Sequence, residues 1–72
     1  MLAWGEVTAF DEHAGLGVVR SATGGELPFH CVAITGERRT VAVGTVVRFR
    51  VVAALPGRWE AFDVDPVDPV AP

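Results

Sequence analysis

The chain has no lysine and no tyrosine, and it carries one cysteine, two tryptophans and four phenylalanines among 72 residues. Each shortage removes a class of function. A lone cysteine, Cys31, cannot close an internal disulfide, which fits a reducing compartment and leaves the thiol to pack as a small hydrophobe. His13, His30 and Cys31 are the only soft donors, too sparse a set for a three- or four-ligand zinc site. There is no phosphate-cradling glycine loop ending in lysine. His30 and Cys31 are sequence neighbours, so on a strand they point to opposite faces and cannot act as base and nucleophile. The expectation is a chain with no catalytic residues, no metal and no cofactor. No run of eighteen apolar residues and no secretory leader pattern occurs, so no membrane segment is expected and the location expected is cytoplasmic.

Positive charge is also short. Six arginines against nine acidic residues leave a net charge of -3, which argues against a general electrostatic grip on phosphate. A local patch can still be basic on an acidic protein. The length allows one small domain, whose core must be dense.

Apolar residues make up 50% of the chain, and they alternate with polar ones over short runs separated by turn residues, the pattern of strands. Residues 2–10 read as a first strand, with Glu6 and Thr8 on one side and Val7 and Ala9 on the other. Strict alternation places Trp4 and Phe10 on the polar side unless a bulge intervenes. Residues 15–20 form a second strand; Gly15 and Gly17 suit tight curvature and Val18 and Val19 a pleated surface. The Gly24-Gly25 pair closes a hairpin into a third strand, residues 26–30, with Leu27 and Phe29 inward. Pro28 in that strand requires its missing amide to point away from a partner. Residues 31–34 suit one turn of tight helix with Ile34 as a core plug. Residues 45–54 are a fourth strand, Pro56-Gly57 a turn, and residues 59–64 a fifth strand. Residues 65–72, with recurring prolines, read as a flexible Asp/Pro-rich tail after a domain of residues 1–64.

The segments Gly5-Glu-Val-Thr-Ala-Phe10, Gly15-Leu-Gly-Val-Val19, Leu27-Pro-Phe-His30, Ala33-Ile34, Gly44-Thr-Val-Val-Arg-Phe49 and Ala61-Phe-Asp-Val64 resemble, in order and spacing, the bacterial cold-shock domain. The resemblance implies an all-β fold, a five-stranded antiparallel Greek-key barrel of the OB type. It also implies binding of single-stranded nucleic acid, RNA or DNA, through two motifs at residues 14–19 and 27–30. By the resemblance the binding positions are Phe10, Leu16, Val18, Pro28 and His30, with Arg38 and Arg39 in an overhanging loop and Arg58 and Trp59 on the rim. The chain departs from the family at most of its aromatic platform: Ala9, Leu16, Val18, Pro28 and Cys31 stand there, and Ala14 replaces a basic residue. Aromatic stacking is worth about 1–3 kcal/mol per base, so losing several rings makes weak binding the expectation. Glu60, where the family has a neutral amide, works in the same direction.

A second reading treats the chain as a degenerate cold-shock fold serving protein interaction or self-association, with a protein partner or a homodimer. The resemblance pairs strands one and four, which brings Trp4 beside Arg48 and Arg50. Tryptophan with arginine is hot-spot chemistry for protein partners.

Overall fold

The computed structural model describes residues 2–36 and 39–67. Five strands are formed: β1 (Leu2–Asp11), β2 (Leu16–Ser21), β3 (Glu26–His30), β4 (Val46–Leu55) and β5 (Arg58–Pro66). They make one antiparallel sheet in the order β3-β2-β1-β4-β5. A single 3-10 turn, Cys31–Ala33, follows β3. Each expected strand is present, with ends shifted by at most two residues.

The sheet curls around Val7, Val19, Phe29, Ile34, Val47, Phe49, Ala61 and Val64, all buried. Apart from Ile34 these are the inward members of the alternating runs; fully burying each valine, isoleucine or phenylalanine contributes roughly 1.5–3 kcal/mol. Curling tightly brings backbone and ring together at Gly17, where a Cβ would collide with Phe29 and lie 2.9 Å from the Phe10 ring. Only glycine fits there.

The two edge strands, β3 and β5, do not hydrogen-bond to each other as strands. Their seam is fastened just past β3, where Ile34 bridges Val64 in parallel and the Thr35 amide donates to the Val64 carbonyl at 2.9 Å. Pro28 explains part of this. The Cys31 amide donates to the Gly15 carbonyl, so residues 15 and 31 form a bonded pair; alternation then makes Val18 and Pro28 a non-bonded pair. The nitrogen of Pro28 therefore points away from β2, toward the seam, where no donor is available.

Two expectations are corrected. A bulge at Thr8, between the pairs Val7↔Val19 and Ala9↔Val18, turns Ala9 outward and Phe10 toward the core. Phe10 is half-buried and stacked on Phe29, ring centroids 6.0 Å apart at 19°. Asp65 and Pro66, expected in the tail, instead continue β5 opposite Arg48 and Val47. The prolines do not prevent this, because β5 is an edge strand with one side unpaired. Residues 68–72 of the expected tail lie outside the described residues.

Candidate nucleic-acid interface

The outward side of β2 and β3 is built by register. Leu16 lies opposite His30 and Val18 opposite Pro28, while β1 adds Asp11 beside Leu16 and Ala9 beside Val18. Leu16, Pro28 and His30 are exposed and Val18 is half-buried. Ala9, Leu16, Val18 and Pro28 surround a shallow apolar depression whose floor is reached by Phe10. The structure thus brings five expected positions, Phe10, Leu16, Val18, Pro28 and His30, into one patch. Phe10 contributes from below, with its ring committed to Phe29.

The patch is held still from two directions. Asp11 Oδ1 accepts the amides of His13 at 2.9 Å and Ala14 at 3.1 Å, which fixes the turn delivering Leu16. Cys31, half-buried against the core, packs under Gly15 and secures the other end. Leu16 and Val18 therefore rise from a strand paired on both sides, and Pro28 and His30 from the edge strand beside it.

Among the residues expected on the rim, Arg39, Arg58 and Trp59 are exposed. Trp59 is 57% exposed, so its indole is no lid sealed into the core. In register with Ala53, it lies on the same side of β5 as buried Ala61, displayed where the β4-β5 hairpin overruns the core. Four successive antiparallel pairings make β3 and β5 run in the same direction, and the two strands lie against each other along the seam. Arg58 and Arg39 are exposed and form no ion pair among the described residues. Arg38 lies outside the described residues. Glu60 is half-buried and faces outward opposite Val52.

The other arginines of the sheet behave differently. Arg48 meets Asp65 at 3.0 Å and Arg50 meets Asp63 at 2.9 Å. The Arg48 guanidinium also sits over the Trp4 ring, 5.7 Å from its centroid, as strand pairing led one to expect. Phe62, outward on β5 opposite Arg50, is an exposed ring that sequence reading left unassigned. Its signal was the alternation around Ala61 and Val64, obscured by the bulge that Asp63 forms at φ 51°. Among the described residues no group of three or more His, Cys, Asp or Glu side chains is placed to hold a metal ion, and no helix is long and apolar enough to cross a membrane.

No family model matches the chain, and no curated protein matches it. Among solved structures it is similar to the Drosophila Unr CSD456, a cold-shock-domain protein, with a TM-score of 0.80 at 21% identity. The likeness covers 96% of this chain and 28% of that one. Agreement of that extent at so low an identity is a statement about the path of the backbone, and the path is that of a divergent, cold-shock-like fold.

Proposed function

We propose that this chain is a non-catalytic, cytoplasmic module, a five-stranded Greek-key barrel of the OB type, that binds single-stranded nucleic acid weakly. The observation that carries the reading is the contiguous outward patch of Leu16, Val18, Pro28 and His30; exposed Trp59, Arg39 and Arg58 are proposed as its rim. Aliphatic groups bury against the faces of bases without sequence preference. His30 adds a ring that stacks and donates. The Trp59 indole supplies the large face missing from the motif strands, and the guanidinium groups, Arg38 included, take phosphate. Phe10 acts as the support beneath the patch. Asp11 and Glu60 at its margin oppose phosphate, which keeps affinity low.

The fold favours this use because the patch is flat, preorganised and open, so little ordering cost falls on the protein when a strand binds. The test is titration of a pyrimidine-rich oligonucleotide at low salt, followed by backbone amide shifts and tryptophan fluorescence. Shifts grouped on residues 14–20, 27–31 and 58–60 are the expected result. No response at high micromolar concentration refutes the reading.

A further inference from the structure

The outward side of β1, β4 and β5 is a second surface, distinct from the motif strands. One row across it runs Leu2, Arg50, Phe62 and the next runs Trp4, Arg48, Asp65. Leu2 is 64% exposed, Trp4 48% and Phe62 41%, a concentration of large apolar side chains unusual for a free surface of this size. The charges between them are ordered: β4 carries a basic row, Arg48 and Arg50, and β5 an acidic row, Asp63 and Asp65. All four side chains are about half-exposed, so both rows lie open to solvent.

We infer that this face is the interface for a second copy of the chain. A two-fold axis parallel to the strands, midway between β4 and β5, lays the basic row of each copy over the acidic row of the other. It also sets Phe62 of one copy in the same cross-strand row as Leu2 of the other, displaced by one strand spacing, roughly 4.8 Å. An axis along β4 would instead put arginine on arginine. The face is therefore complementary to itself in one orientation, which is what an isologous pair requires. At its centre Arg48 and Arg50 offset Asp63 and Asp65, while Glu6 and Glu60 on the same side leave the margin acidic, which weakens the contact.

The indole is prepared for the contact. Thr35 Oγ1 donates to Asp65 Oδ1 at 3.0 Å, Asp65 Oδ2 accepts from Arg48 at 3.0 Å, and the Arg48 guanidinium lies over Trp4. Ordering the tryptophan ring is thus accomplished before association. Three strands at about 4.8 Å spacing and ten residues of about 3.3 Å rise give a face of under about 500 Å², smaller than the roughly 800 Å² per partner of a standard interface. The dimer is consequently weak and concentration-dependent.

Sedimentation equilibrium of the full chain from micromolar to millimolar concentration tests this, together with isotope-filtered NMR on mixed labelled and unlabelled protein. The expected result is a reversible dimer with intermolecular contacts from Phe62 to Leu2 and Trp4. Leu2→Glu should weaken association at least tenfold with an unchanged circular dichroism spectrum, and its oligonucleotide-induced shifts at Leu16 and His30 should persist. A chain that stays monomeric at millimolar concentration overturns the inference. So does a dimer indifferent to Leu2→Glu, or one whose intermolecular contacts fall on β3 or on the motif patch.

Discussion

Gly17 shows how a single missing side chain shapes the candidate site. It lets the Phe29 ring pass beneath β2 and Phe10 stack upon it, which levels the patch carrying Leu16 and Val18. Gly17→Ala should cost about 1–3 kcal/mol, the ordinary penalty for overfilling a packed core, read as a lowered denaturation midpoint. Trp59 is the opposite case, since most of its ring touches solvent. Trp59→Ala should leave thermal stability within about 0.5 kcal/mol while weakening oligonucleotide binding by roughly five- to 150-fold, the value of one stacked base. A large stability loss with unchanged binding would assign the ring to the fold instead. At this scale the inward residues were readable from alternation. Phe10 was not, because its orientation depends on one extra residue, Thr8, whose insertion leaves no mark in composition.

Among the elements, β5 departs furthest from expectation. Proline recurrence suggested an end at Val64, yet Asp65 and Pro66 pair with β4, and the Val67 amide donates to the Val46 carbonyl at 2.9 Å. An edge strand tolerates proline on its open side, and Asp65 is retained by Arg48 and Thr35. Deleting residues 65–72 should therefore lower the melting temperature by several degrees, the equivalent of about 1 kcal/mol in a domain this small. Deleting only residues 68–72 should shift it little, as differential scanning calorimetry can show. The other strands were legible almost to their ends. Gly24 and Gly25, at φ 98° and 85°, take the turn conformation that such a pair offers cheaply.

For the molecule as a whole, the net charge and the local rim pull in opposite directions. If Arg38, Arg39 and Arg58 together replace counterions on the strand, log affinity should fall with log salt at a slope near -2, about 0.7 per cation neutralised. Fluorescence titrations between 50 and 200 mM salt would then lose roughly fifteen- to twentyfold in affinity; a flat response would mean apolar docking without phosphate contact. The patch on β2 and β3 could be anticipated because it follows from the register of one hairpin. The rim rests on the resemblance alone, since Trp59 belongs to a strand far along the chain, and its placement depends on how β3 and β5 meet. The meeting itself has a consequence for solubility. A border strand with a full set of free amides invites neighbouring molecules to add to it, the first step toward fibrils. Here the middle of that border is Pro28, whose nitrogen faces outward with nothing to donate. Installing a valine at this position, Pro28→Val, would complete the row of donors. Thioflavin fluorescence after prolonged incubation should then rise sooner than for the parent chain, exposing a protective duty that the same residue performs alongside its place in the candidate patch.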